Sequence, residues 1–372
     1  MFNMAAYVLE AGLKTPDKVA LSLLTPEGSE NWTYAALRAA VLGTGRGFLD
    51  TGLCAGDVVL MRLGNTVDFP LAFLGALSVG LIPVPTSAAL TLSETSRIIA
   101  DMSPASILHS PDVACPADPR VVSLEVLRAM RALPAAEIHM GDPNRLGYVI
   151  YTSGTSGSPR AVGHAHRAIW ARQMMFEGWY GLRPSDRVLH AGAFNWTYTL
   201  GTGLMDPWTM GATALIARAG TLAAWLPAYL RRDKATLFAA APGVYRQLLS
   251  VAPDLDMPTL RHGLSAGEKL PDRVAKAWYE ATGTYVYEAY GMSECSTFIS
   301  SSPARPASPG ALGRPQLGRR VALLNSDGPV PFGTEGTIAV HKDDPGLMLG
   351  YLNAPTEMAS RMQGEWFLTG DQ

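Results

Sequence analysis

The sequence predicts an α/β protein built from doubly wound, mostly parallel sheets covered by helices, followed by a small β-rich, barrel-like subdomain. Three observations predict it. Short apolar runs that read as strands alternate with helical runs across residues 1–302, the pattern of parallel sheets clothed on both faces. A chain of 372 residues is too long for one compact core, so two related, interleaved α/β subdomains are expected over that span. Beyond Pro303 the character changes. Pro306, Pro309 and Pro315 precede short strands at 321–324 and 336–341, with a Ser326-Asp327-Gly328 turn between them, so residues 303–372 read as the β-rich unit.

Each element follows from local pattern. Residues 16–24 give a helix start and a strand, and Thr33 is placed as the N-cap of an amphipathic helix. Strands are expected at 58–61, 106–108, 120–124, 146–151, 187–190, 212–217, 236–240 and 285–287. Helices are expected between them at 166–179, 222–231, 243–251 and 272–282. Residues 69–93 carry no charge, long enough to span a bilayer. But Pro70, Pro83 and Pro85 punctuate the stretch, and Gly75 and Gly80 loosen it. It reads as a buried helix over 71–79, a turn at Gly80 and a core strand over 81–84.

Composition narrows the functional classes. With 48% hydrophobic and 17% charged residues the chain is an ordinary folded protein. A formal net charge of -2 gives no electrostatic reason for nucleic acid or an anionic membrane as partner. Cys54, Cys115 and Cys295 are odd in number and far apart, which suits reduced thiols in a cytoplasmic protein rather than disulfides or a zinc cluster. The N-terminus lacks the basic segment of a signal peptide. The seven histidines form no metal-ligand pair, and His164 and His166 are read as structural.

Chemistry concentrates in four places. The first is Tyr151-Thr152-Ser153-Gly154-Thr155-Ser156-Gly157-Ser158-Pro159-Arg160, directly after an apolar strand. Gly154 and Gly157 allow tight turns that aim backbone N–H groups at an anion, hydroxyls add donors, and Arg160 adds fixed charge. The P-loop ending Gly-Lys-Ser/Thr is missing, so this is another kind of phosphate loop. The second is Ser265-Ala266-Gly267-Glu268, and the third Tyr287-Glu288-Ala289-Tyr290-Gly291-Met292-Ser293-Glu294. Taken alone, the second reads as a helix start with an acidic first turn. The fourth is Thr369-Gly370-Asp371, after an apolar strand.

In this order the four motifs resemble those of the adenylate-forming superfamily, which holds acyl-CoA synthetases, luciferases and the adenylation domains of peptide synthetases. Residues 151–162 match that family's phosphate loop at nearly every position, with Arg160 where lysine is usual. Arginine keeps the charge, but its planar fork differs in geometry. The resemblance implies that Thr155 and Arg160 act on phosphate oxygens. It implies that Ala266, Gly267 and Glu268 sandwich adenine with Tyr290, within a wall running from Glu288 to Met292. Ser293 then meets the α-phosphate and Glu294 holds Mg²⁺, for which one glutamate suffices beside phosphate oxygens. Asp371 takes both ribose hydroxyls, as only a two-oxygen acceptor can.

Phe194-Asn195-Trp196, Leu204-Met205-Asp206-Pro207-Trp208 and Arg261-His262-Gly263 look similar to medium-chain and aryl carboxylate–CoA ligases. That implies an acyl pocket bordered by Trp196, Tyr198 and Gly291, while Trp208 reads as core. No acidic residue lies in 193–198, so a simple carboxylic acid is expected rather than an amino acid. The expected cofactor and co-substrates are Mg²⁺, ATP and coenzyme A. Family enzymes continue past the fourth motif into a small mobile domain that carries a catalytic lysine. The chain is therefore expected to be the large N-terminal part without that lid, and impaired in turnover. Loading of a carrier protein, or nucleotide binding without turnover, stay open as alternatives. The sequence does not fix the oligomeric state, a homodimer being one arrangement open to it.

Overall fold

The computed structural model of the chain describes every residue except 153–158, 219–222, 253–254 and 309. Among the described residues the largest sheet has nine strands. Its centre is parallel, running Val286–Met292, His262–Ala266, Leu237–Ala240, Arg187–Ala191, Thr213–Ala217 and Val19–Leu24. These strands are short and almost wholly apolar because helices cover both faces; Leu237–Ala240 is buried at every position. Antiparallel strands Ser29–Thr33 at one edge and Ser296–Ser300 with Arg314–Pro315 at the other complete the sheet.

A second, four-stranded parallel sheet is ordered Ile82–Pro85, Val58–Arg62, Ser106–His109, Val121–Ser123. A three-stranded antiparallel sheet joins Leu146–Thr152, Arg160–Ala165 and Gly350–Tyr351. The C-terminal region forms a five-stranded antiparallel sheet around Val321–Asn325, Thr337–His341 and Trp366–Leu368. This is the doubly wound α/β architecture with a barrel-like β-rich addition that the alternation of patterns predicts.

The uncharged stretch becomes the helix Asp68–Ser78, buried at every position, a turn at Gly80 with φ +81°, and the core strand Ile82–Pro85. Its one acid, Asp68, is completely buried and held by Arg128 and Arg131. Among the described residues no helix is long and apolar enough to cross a membrane. Thr33 caps its helix as expected, its hydroxyl accepting from the Ala36 N–H. Thr91 and Glu94 form a reciprocal capping box at the start of Leu92–Met102.

Several local expectations need correction. No helix begins at Pro16; a 3-10 turn, Ala11–Lys14, ends before it. The single helix expected over 166–179 is a short α-helix, Ala168–Ala171, followed by a π-turn at Phe176–Tyr180. The wider turn lets the consecutive residues Trp179 and Tyr180 both face inward, where both are buried. Residues 267–271 do not start a helix: Asp272–Thr282 begins only after Pro271. The strand expected at 285–287 runs on to Met292, because it pairs with a parallel strand on one side and an antiparallel one on the other.

Candidate active site

The third motif is one arm of a hairpin, Val286–Met292 against Ser296–Ser300. The pairing slips between Tyr290 and Gly291, and the backbone there approaches so closely that only glycine fits at 291. A Cβ at that position would lie 2.2 Å from the Ser296 carbonyl oxygen and 2.4 Å from the Thr297 Cα. The slip turns Tyr290 against Phe298, ring centroids 5.3 Å apart and edge to face. The Tyr290 hydroxyl donates to Asp371 Oδ2 at 2.5 Å. Burial, reinforced by that bond, pushes the phenol well above its ordinary range. Asp371 is in turn fixed by its backbone, its carbonyl accepting from the Ile338 N–H at 2.8 Å. The third and fourth motifs, 81 residues apart, thus meet.

The second motif closes the same space. The strand His262–Ala266 ends with Ala266 buried, and Gly267 turns away at φ +99°. Glu288 sits beneath it, Oε1 accepting from the Leu270 N–H at 2.7 Å, while burial raises its carboxyl pKa. A cavity of about 480 Å³ is lined by Gly267, Glu268, Ala289, Tyr290 and Asp371. A second, of about 580 Å³, is lined by Thr152, Trp196, Tyr198, Met292 and Ser293. Both include Gly267, Glu268 and Gly291, so they adjoin there.

The expected acyl-pocket residues fall in the second cavity. Trp196 is 57% exposed and lines it. Tyr198 stacks on Trp179 at 5.7 Å and meets His190 edge-on at 4.4 Å. Trp208 is core, fully buried with Nε1 donating to the Ala20 carbonyl. His164 and His166 are structural as read: His164 Nε2 meets the Ser293 carbonyl, and His166 Nδ1 accepts from the Met4 N–H.

Glu294 and Arg160 are linked through a third residue that sequence reasoning missed. The buried Glu294 accepts the Tyr351 hydroxyl at Oε1, 2.6 Å away, and its carbonyl accepts from Met348. Arg160, opposite Thr152 in its strand pair, pairs with Glu357 and lies 5.3 Å over the Tyr351 ring. For a magnesium ion the donor set fits. Glu294 offers one carboxylate next to Ser293, and a single carboxylate leaves most positions to nucleotide oxygens and water, as magnesium prefers. Of the phosphate loop, Ser153, Gly154, Thr155, Ser156 and Gly157 lie outside the described residues.

The AMP-binding enzyme family profile matches residues 9–352, a span that contains the first three motifs and every lining residue of the second cavity. The chain belongs to the AMP-binding enzyme family. Among relatives of this AMP-binding enzyme is a 3-hydroxybenzoate–CoA ligase of Aromatoleum sp. (strain CIB), 27% identical over 366 residues, covering 92% of this chain and 70% of the relative. The fold of this chain superposes on an anthranilate CoA ligase, AuaEII, solved with anthranoyl-AMP, with TM-score 0.89 and 25% identity over 99% of this chain and 74% of that one. A benzoate CoA ligase from Burkholderia xenovorans LB400 superposes with TM-score 0.87 and 25% identity, over 100% of this chain and 77% of that one.

Ser296, Thr297 and Ala241 also line the second cavity and were not among the expected residues. Ser296 and Thr297 follow the third motif after Cys295 alone, so proximity in sequence is the available signal. Ala241 and Tyr351 reach the site only through long-range packing.

Proposed function

We propose that this protein activates an aromatic or medium-chain carboxylic acid with ATP to an acyl-adenylate and transfers the acyl group to coenzyme A. The observation that carries this reading is the pair of adjoining cavities. One is walled by Tyr290 and Asp371, suited to a nucleoside; the other by Trp196, Tyr198 and Met292, suited to an apolar acid. They share Gly267, Glu268 and Gly291, where the acid's carboxylate and the α-phosphate would meet. The aromatic-acid ligases among its relatives support the same substrate class.

The reaction balances in two steps. A carboxylate oxygen attacks the α-phosphorus in line and pyrophosphate leaves; the CoA sulfur then attacks the acyl carbon and AMP leaves. The first step needs positioning and charge neutralisation rather than a side-chain nucleophile. In this reading Ala266, Gly267 and Glu268 hold adenine against Tyr290, and Asp371 accepts the ribose hydroxyls. Thr152, Ser293 and Arg160, with the loop at 153–158, contact phosphate oxygens. Glu294 holds magnesium, which would supply charge neutralisation on the triphosphate. Residues 1–302 would form the α/β body and 303–372 the β-rich subdomain that brings Asp371 to the nucleotide.

The test is a panel of carboxylic acids assayed for pyrophosphate release with Mg-ATP, and for thioester with and without coenzyme A. Acid-dependent pyrophosphate release is expected, with thioester only when CoA is present. Release that no acid stimulates would refute the adenylating role; release without CoA-dependent thioester would refute CoA as acceptor.

A further inference from the structure

We propose that Ser296 and Thr297 form a donor–acceptor pair that selects acids bearing a hydroxyl group on the part of the molecule remote from the carboxylate; this rests on the acid-activating reading above. Both residues line the larger cavity and neither lines the nucleotide cavity. They begin the strand Ser296–Ser300, Ser296 opposite Met292 and Thr297 opposite Gly291. The cavity's other walls are mostly apolar or aromatic. The Tyr198 hydroxyl is already committed to the Leu264 carbonyl at 3.2 Å.

The direction of each hydroxyl is set from behind. Arg172, buried and only 5% exposed, grips Asp206 with two bonds of 2.8 and 2.6 Å, and its Nη1 donates to Ser296 Oγ. Its path is reserved for it: a Cβ on Gly201 would lie 2.0 Å from the guanidinium carbon. Arginine has no acceptor, so the Ser296 oxygen is the acceptor in that bond and the Ser296 hydrogen is left to donate elsewhere. No described residue receives it. Asp206 balances the charge of Arg172, so the cavity meets an oriented hydroxyl donor rather than a cation.

Thr297 is set the opposite way. Its hydroxyl donates to the Met175 sulfur at 2.9 Å, which commits its hydrogen and leaves the oxygen lone pairs to accept. A donor and an acceptor on successive residues of one cavity wall complement a group that both accepts and donates, which is a hydroxyl. A second carboxylate would meet the Thr297 oxygen unfavourably, and an unsubstituted acid would leave both groups unpaired on desolvation. Ser296 keeps this position at a backbone φ of +58°, a left-handed conformation that a non-glycine residue holds only under constraint.

The test uses non-hydrolysable acyl-adenylate mimics, sulfamoyl-adenosines carrying benzoyl, 3-hydroxybenzoyl or 4-hydroxybenzoyl groups, titrated calorimetrically into the 372-residue chain. At least one hydroxybenzoyl compound is expected to bind about tenfold more tightly than the benzoyl compound. That ratio should fall toward one in Ser296→Gly, which also relieves the left-handed backbone, and in Thr297→Val, which keeps the side-chain shape. Should Ser296→Gly not fold, Thr297→Val decides alone. Equal binding of the three compounds to the parent, or a ratio that survives the substitutions, overturns this selection and leaves the acid-activating reading standing. Binding of none of the three overturns that reading and this one with it.

Discussion

The Tyr290 hydroxyl donates to Asp371 Oδ2 across 2.5 Å, tying the ring that would face adenine to the carboxylate that would take the ribose. Two consequences follow for nucleotide binding. Asp371→Ala should weaken AMP and ATP alike by roughly 2–4 kcal/mol, the loss of a charge-assisted two-hydroxyl contact. Tyr290→Phe keeps the ring and the carboxylate but frees Asp371 to wander, so roughly 1 kcal/mol is expected. Calorimetry with AMP and its 2′,3′-dideoxy counterpart checks both, and equal affinity of the parent for the two ligands excludes the ribose role.

Glu294 is held by Tyr351 at one oxygen and stands alone among the described residues as a carboxylate in this hairpin turn able to serve magnesium. Glu294→Gln should abolish Mg-ATP-dependent pyrophosphate release while AMP binding, which needs no metal, stays within a few-fold of the parent. Near-normal turnover in the variant would move the metal elsewhere.

Gly291 is where the cavities adjoin and where the hairpin strands crowd. Gly291→Ala would drive a methyl into the Ser296–Thr297 backbone at 2.2–2.4 Å, contacts that rigid main chain cannot yield cheaply. Destabilisation of roughly 1–3 kcal/mol is expected, read from the urea midpoint, with a greater loss of acyl-adenylate affinity than of AMP affinity. An unchanged midpoint would mean that the hairpin opens more freely than its packing suggests.

Acid should unfold this protein through its buried imidazoles. Burial lowers the pKa of His164 to about 4, and of His166 and His190 to about 3, from an ordinary 6.5. Secondary effects from Arg145 on His166 and Arg172 on His190 act in the same direction. The folded state therefore keeps them neutral while the unfolded chain takes up protons. Their contribution is fully present above about pH 6.5 and is lost as pH falls toward the folded values. Each imidazole adds a slope of up to about 1.4 kcal/mol per pH unit within that window. Urea midpoints should change little between pH 7.5 and 6.5 and fall between 6.5 and 5.5, and the fall should be shallower in His166→Gln. A midpoint that does not move over this range would contradict the buried neutral state.

Much of this was legible in the chain itself. Apolar runs such as Leu237–Ala240 and the helix Asp68–Ser78 announce two-faced burial, because side-chain period and composition are local properties. The glycines and hydroxyls of the four motifs likewise mark a nucleotide site, since tight turns and anion contacts need those residue types at short spacing. The strand over 286–292 extends past the expected 285–287 because its far end pairs with Ser296–Ser300, and the pattern of a single strand does not record its partner. The single helix expected over 166–179 is instead broken, because its π-turn serves the packing of Trp179 and Tyr180.

What the sequence alone determined was the fold class, the order of the motifs and the chemistry each residue type can offer. The tertiary structure alone decided which of them meet. It brought Asp371 to Tyr290, set Tyr351 between Glu294 and Arg160, and threaded Arg172 past Gly201 onto Ser296. The physical reason is that hydrogen bonds and contacts act over a few ångströms. Residues separated by 81 or 124 positions are joined only once the sheets have packed, and no local pattern records which partner they will find.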